Sequence, residues 1–283
     1  MNIGIIGLGL IGGSIARATM KYTDNKVYGF DIDENAIIKA EMMNAIVEPI
    51  NENNVKDIDM IIVALNLSPT IKVLEKICPY LKDGAIVTDI CGVKRPIIEV
   101  MQTLSEKYPN LKFCGVHPMA GREFSGISHS SANLFERAYI VIVPIYDDIE
   151  VLAKIKSFYK SILAQDVQIC NADYHDRMIA YTSQLAHIVS SAYIKDPNSS
   201  EHAGFSAGSF RDLTRVAKLN PNMWDELFMA NKDNLVECID NIIKELTLYR
   251  NSIENEDQNL RELLQDGVDK KELAEQARKD RLK

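Results

Sequence analysis

Two hydrophobic rhythms divide the chain. From Asn2 to about Cys170, short apolar runs (IGIIGL, VYGFDI, MIIVAL, AIVTDI, KFCGV, YIVIVP and VQIC) alternate with longer stretches of mixed polarity. The runs are brief and rich in Ile and Val, as strands are, and the stretches between them repeat with helical spacing. Strands alternating with helices predict βαβ units, and runs lacking an in–out alternation predict parallel strands covered on both faces. Pro69 and Pro96 fall where a helix tolerates proline, in its first turn. After Asn171 the strand runs cease, and HDRMIAYTSQLAHIVSSAYI and MWDELFMANKDNLVECIDNIIKEL carry apolar residues at the helical period. DPNSSEHAGFSAGSF, between them, predicts a loop able to line a site. The last thirty or so residues are highly charged with sparse Leu and Val, which predicts a solvated or partner-packed helical tail.

The first predicted strand runs into Gly7-Leu8-Gly9-Leu10-Ile11-Gly12, the spacing G-x-G-x-x-G at the start of a predicted helix. The first glycine permits a tight turn, the second lets backbone approach a pyrophosphate, and the third lets helix and strand pack closely. The N-H groups and partial positive charge of the helix start then face the phosphates. Asp31 lies at the end of the second strand, 19 residues after Gly12. There a carboxylate accepts hydrogen bonds from adenosine ribose hydroxyls and repels a 2′-phosphate, which predicts NAD rather than NADP. Asp33, two residues on, is the better candidate for a helix N-cap. The expected fold is therefore α/β, with a Rossmann-type dinucleotide-binding domain over residues 1–170 and an all-α domain over 171–283.

Composition narrows the partners. With 46% hydrophobic and 25% charged residues the 283-residue chain is globular, and its net charge of -8 argues against a nucleic-acid or anionic-membrane footprint. No run approaches the ~20 apolar residues of a membrane span and no signal-peptide pattern opens the chain, so the expected location is the cytoplasm. The five cysteines, Cys78, Cys91, Cys114, Cys170 and Cys238, are scattered without Cys-x-x-Cys spacing and predict reduced thiols.

Candidate chemistry gathers in two places. His117, in GVHPMAGRE, is expected just past the strand KFCGV, at the carboxyl edge where open α/β sheets bind ligands. A histidine there is either structural or a general base. In the helical part stand His187 and, four residues apart, Arg211 and Arg215. Such an arginine pair is either a solvated face or a site for a substrate with two carboxylates, which guanidinium groups bind bidentately.

GLGLIGGS, TDICGVKRP, GVHPMAGRE, HDRMIAYTSQLAHIVSSA and GSFRDLTRVAKLNPNMWDELFMANKDNL together resemble prephenate dehydrogenases, from about Met1 to Leu248. The resemblance implies a helical substrate-binding and dimerisation domain, a homodimer, and oxidative decarboxylation of prephenate to 4-hydroxyphenylpyruvate and CO2. It implies His117 as the catalytic histidine, Arg215 as the partner of the ring carboxylate, His187 as a substrate-binding histidine, Arg211 where the family often has lysine, and Glu123 as an acidic residue shaping the site. Two positions depart from the family. Gly92 stands where a serine is often found, and its contact passes to Cys91, to backbone or to water, or histidine positioning is looser. Arg122 replaces a small hydroxyl residue and either adds a third cation for the pyruvyl carboxylate or points to solvent. Lys94 is expected to belong to a helix start without a role in the chemistry. The rival readings are an arogenate dehydrogenase, a β-hydroxyacid dehydrogenase and a non-catalytic NAD-binding regulator. The second needs a lysine on the long helix, and residues 173–193 contain none.

Overall fold

A computed structural model describes residues 1–122, 124–256 and 259–281. The chain divides into two compact units, Met1–Lys232 and Asp233–Lys283.

The described residues of the first unit build a sheet of eight strands: β1 (Asn2–Ile6), β2 (Lys26–Phe30), β3 (Glu48–Pro49), β4 (Met60–Val63), β5 (Ile86–Asp89), β6 (Lys112–Pro118), β7 (Tyr139–Pro144) and β8 (Asp166–Ile169). Their order across the sheet is β3-β2-β1-β4-β5-β6-β7-β8. Each of the seven apolar runs is a strand. The central strands β4 and β5 are buried along their whole length, because helices cover both faces. On one face α1 (Leu10–Tyr22), α2 (Glu34–Met42) and, after β7, a helix with Val151, Ile155 and Phe158 turned inward pack a core that includes Ile3, Ile5, Ile15 and Ile140. On the other, α3 (Leu67–Ile77) and α4 (Arg95–Lys107) bury Leu74, Ile97 and Met101 against Ile61 and Val87. The helix after β7 is α5 (Ile149–Ser161). Asp33 caps α2, its carboxylate accepting from the Asn35 N-H at 3.0 Å.

The structure departs from the sequence pattern in three places. β3 is a two-residue edge strand containing a proline, too short to register in any window and confined to the edge where a missing N-H does no harm. β7 runs antiparallel to β6. Parallel strands need a crossover, usually a helix, and the described residues of 119–138 hold no crossover helix, but a 3₁₀ turn, Ile127–His129, and a single bridge from Glu136 to Ala164. His117 lies inside β6 rather than beyond it, because pairing with β7 extends the ladder through His117↔Val141 and Pro118↔Ile140.

Helices follow the sheet: α6 (Ala172–Ile179), a π turn (Ala180–Gln184), α7 (Leu185–Tyr193), α8 (Gly208–Thr214) and α9 (Pro221–Ala230). The predicted loop 196–210 holds a 3₁₀ turn, Pro197–Glu201, and its last residues open α8. The second unit takes in α10 (Lys232–Glu254) from its second residue onward and α11 (Asn259–Arg281), with the Tyr249 hydroxyl donating to the Leu263 carbonyl at 3.0 Å. Among the described residues no helix is long and apolar enough to cross a membrane.

Candidate active site

The turn after β1 gives each of its glycines a distinct reason. Gly7 has φ +98°, in the left-handed region, and a Cβ there would lie 2.4 Å from the Ala64 carbonyl oxygen. A Cβ on Gly12 would lie 1.9 Å from the Gly7 carbonyl oxygen, so helix and turn touch backbone to backbone. A Cβ on Gly9 would meet nothing within 4 Å. Its face opens outward, with room for a phosphate to approach the backbone. Leu8 is buried, and Leu10 and Ile11 begin α1, whose first-turn N-H groups have no intrahelical acceptor. The first turn of α1 carries no acidic residue to compete for an anion. Asp31 folds back on this turn, accepting from the Leu8 N-H at 2.7 Å and the Asp33 N-H at 3.0 Å. A carboxylate has about four acceptor sites, which leaves capacity for ribose hydroxyls. These residues fit a dinucleotide. Gly12→Ala is expected to lower unfolding stability by about 1–3 kcal/mol, the cost of overpacking a close contact, with loss of NAD binding, checked by denaturant unfolding and calorimetry.

At the carboxyl edge of β6 the half-buried His117 does not stand alone. Its Nδ1 lies 2.9 Å from Nε2 of His175 on α6, and His175 Nδ1 lies 2.6 Å from Oδ1 of Asp176. His175 and Asp176 are buried. Asp176 is held in turn by the Lys94 N-H at 2.7 Å, the Arg95 N-H at 2.9 Å and the Arg95 side chain, with Nε at 3.4 Å. Burial pushes the Asp176 carboxyl up, but the His175 bond and these N-H groups outweigh it and hold the group below its usual range. Burial, then the neighbouring His175 and Lys94, hold the His117 pKa well below the usual imidazole value. His117 is therefore neutral at neutral pH, as a base must be.

Beneath this chain lies a fully buried ion pair, Lys94 Nζ to Asp89 Oδ2 at 2.5 Å, both side chains 0% exposed. Asp89 also accepts from the N-H groups of Cys91 and Val116. The sequence predicts an ordinary helix start for Lys94. It does precede α4, but its side chain turns inward to the sheet. The Cys91 thiol is buried against Thr70 and Leu65, and burial raises its pKa to about 12, so it does not stand in for a serine hydroxyl. At Gly92 a Cβ would lie 3.5 Å from Leu227, an ordinary contact.

On the helical side, His187 Nδ1 donates to the Ser183 carbonyl at 2.9 Å, and its ring packs on Trp224 of α9 with centroids 3.9 Å apart. Burial and then Arg215 push its pKa down, against the bond to Ser183. Arg215 is exposed at the C-cap of α8, and Arg211 is exposed one turn earlier. The structure thus brings Arg215, His187 and Trp224 together. Arg122 is exposed on the loop after β6, and Glu123 lies outside the described residues. A buried amide network joins the two sides: Asn231 Nδ2 donates to the Asp176 carbonyl and to Gln184 Oε1, each at 2.8 Å, and Gln184 donates to the Leu227 carbonyl at 3.1 Å. His175, Asp176 and the Lys94–Asp89 pair were not identified as site residues from the sequence.

A glycine turn of dinucleotide-binding spacing and a neutral imidazole at the same edge of a doubly wound sheet mark the class: an oxidoreductase of the dinucleotide-dependent kind. Residues 15–168 match the family model "Prephenate dehydrogenase, nucleotide-binding domain", and residues 171–266 match "Prephenate dehydrogenase, dimerization domain". The chain belongs to the prephenate dehydrogenase family. It is 34% identical to the prephenate dehydrogenase of Lactococcus lactis subsp. cremoris over 251 residues, 86% of this chain and 68% of that protein. In structure it is similar to prephenate dehydrogenase from A. aeolicus in complex with hydroxyphenyl propionate and NAD+, with TM-score 0.85, 28% identity and coverage of 97% of this chain and 98% of that one. It is similar also to Synechocystis arogenate dehydrogenase, with TM-score 0.81, 28% identity and coverage of 97% and 100%.

Proposed function

We propose that the chain is an NAD-dependent prephenate dehydrogenase, which converts prephenate to 4-hydroxyphenylpyruvate and CO2 and works as a cytoplasmic homodimer. We divide it into a nucleotide-binding domain, residues 1–170, and a helical substrate and dimerisation domain, residues 171–283. The observation that carries the reaction is the neutral His117 at the carboxyl edge of the sheet, with His175 on its Nδ1. Prephenate carries a hydroxyl on ring C4, a ring carboxylate on C1 and a pyruvyl carboxylate. NAD, when bound, supplies the hydride acceptor. His117 takes the hydroxyl proton on Nε2, the C4 oxygen becomes a carbonyl, and loss of the ring carboxylate as CO2 restores aromaticity and leaves a phenolate oxygen that takes the proton back. Only one proton needs a placed base, and one imidazole of suitable pKa suffices.

The remaining residues bind. In this reading Arg215 holds the ring carboxylate and His187 orients the ring beside Trp224. Arg211 and Arg122 offer cations to the pyruvyl carboxylate, Glu123 shapes the site, and Gly7, Leu8, Gly9, Leu10, Ile11, Gly12 and Asp31 hold NAD. Arg215→Ala is expected to raise KM for prephenate by roughly 10- to 100-fold, the ~1.5–3 kcal/mol of hydrogen bonds to a charged group, with KM for NAD little changed. Equal loss on both would assign Arg215 a structural role.

The likeness to Synechocystis arogenate dehydrogenase supports a second reading, the same chemistry with an amino group on the side chain. One assay separates the two: NADH absorbance with prephenate and arogenate offered in parallel, and NADP as control. The expected result is a higher kcat/KM on prephenate, and with NAD than with NADP. Preference for arogenate would keep the mechanism and change the substrate. No turnover on either would remove the enzymatic reading.

A further inference from the structure

We propose that His175 and Asp176 are positioning residues that act through His117: before reaction they fix which nitrogen of His117 is bare, and afterwards they take up the proton it has gained. The inference rests on the reading of His117 as the base.

The tautomers follow from the bonding partners. An ionised carboxylate donates nothing, so the 2.6 Å contact with Asp176 Oδ1 requires a proton on His175 Nδ1. Neutral His175 then presents a lone pair on Nε2, and the 2.9 Å contact requires that His117 donate its Nδ1-H. His117 Nε2 is left without a proton, the state in which it can accept one. The reverse arrangement needs a buried imidazolium at His175. Burial and Lys94 oppose that before substrate arrives, although Asp176 pulls the other way. The charged groups facing the pair are Lys94 and Asp89 from the β5–α4 segment, Asp176 on α6 and Arg95 on α4.

The transfer balances. The substrate O-H bond breaks as an N-H bond forms at His117 Nε2, and its electron pair closes the carbonyl as hydride leaves the same carbon for NAD. The Nδ1-H of His117 passes to His175 Nε2. His117 returns to neutral, and His175 holds the proton as an imidazolium whose Nδ1-H still points at the Asp176 carboxylate until loss of the ring carboxylate as CO2 leaves a phenolate oxygen, to which the proton returns by the same two bonds to give the 4-hydroxyl. The positive charge is thereby moved one ring away from the reacting carbon and placed against an anion fixed by two backbone N-H groups.

The first test needs no turnover. In ¹⁵N NMR of histidine side chains in the free protein, His117 is expected as the Nδ1-H tautomer, and Asp176→Asn is expected to redistribute it. His117 as the Nε2-H tautomer in the wild type would overturn the proposal. The second test compares His175→Leu with His175→Gln, whose amide oxygen can still accept from His117 but cannot take a proton. His175→Leu is expected to lose on the order of 10²–10⁴ in kcat, the range seen when a base is misoriented or absent. His175→Gln is expected to recover part of that loss, and calorimetric NAD affinity to stay at the wild-type value in both. Asp176→Asn removes an anion that favours protonation, so the acid limb of kcat/KM should move to lower pH. Equal losses in both His175 variants with an unmoved limb would make the role one of packing alone. If His117→Asn is impaired while His175→Leu is not, only the relay fails; if His117→Asn turns over like the wild type, the base reading itself fails.

Discussion

His117→Asn is expected to lower kcat on prephenate by about 10²–10⁴, the usual contribution of a placed general base, while NAD affinity stays at the wild-type value. Asparagine keeps the polarity and approximate size of the imidazole near Nδ1, so the bond toward His175 can persist and the β6–β7 ladder is untouched. It offers no group that accepts a proton near neutral pH. Stopped-flow turnover and calorimetric titration with NAD separate the two effects. A variant with wild-type kcat would take His117 out of the mechanism. The wild-type pH profile supplies an independent check. Because the folded-state pKa of His117 is held below its ordinary value, kcat/KM should stay flat down through pH 6.5 and fall only in more acid solution. A limb centred at or above the ordinary histidine value would contradict the burial and the Lys94 charge seen in the structure.

Lys94→Met is expected to cost about 3–5 kcal/mol of unfolding stability, because removing one partner strands the other as an uncompensated buried charge. Asp89 is 0% exposed, and two backbone N-H groups do not replace a full positive charge. Pairing Lys94→Met with Asp89→Asn should recover much of the loss, since the neutral amide oxygen can still accept from backbone. Denaturant unfolding of the two single variants and the double variant measures this as a cycle. Additive losses would show that the pair contributes nothing as a pair. In the double variant the acid limb of activity reports how the lost cation and lost anion balance at His117.

The elements that sequence alone revealed are those with a repeating local signal. Seven strands are legible as short apolar runs, and the cofactor turn as three glycines at fixed spacing, two of which meet a steric limit, Gly7 against the Ala64 carbonyl and Gly12 against the Gly7 carbonyl. What stayed hidden depends on contacts made across the chain. His117 and His175 are 58 residues apart in sequence, and the Lys94 N-H and Asp176 carboxylate 82. Lys94 looked like any lysine near a helix start, because nothing local says which way a side chain with four methylenes will turn. The direction of β7 was equally silent: an apolar run reads the same in either sense, and only the lack of a crossover helix decides it. The departure at Gly92 was visible, but that Cys91 is occupied by Thr70 and Leu65 was not.

The π turn at Ala180–Gln184 has a consequence for the phase of the helical segment that contains both site histidines. His175 and His187 are twelve positions apart, and at 3.6 residues per turn an unbroken α-helix would set them about 120° apart around its axis. A π turn absorbs one additional residue without advancing the helix, which reduces that angle to roughly 20°. The two imidazoles then look the same way, one toward His117 and the other toward Trp224. Deleting a single residue from this turn, Thr182 for instance, would remove the bulge yet leave the histidines eleven positions apart on a regular helix, still roughly 20° apart, whereas regularising the turn with its sequence intact would swing one of them out by about 100°.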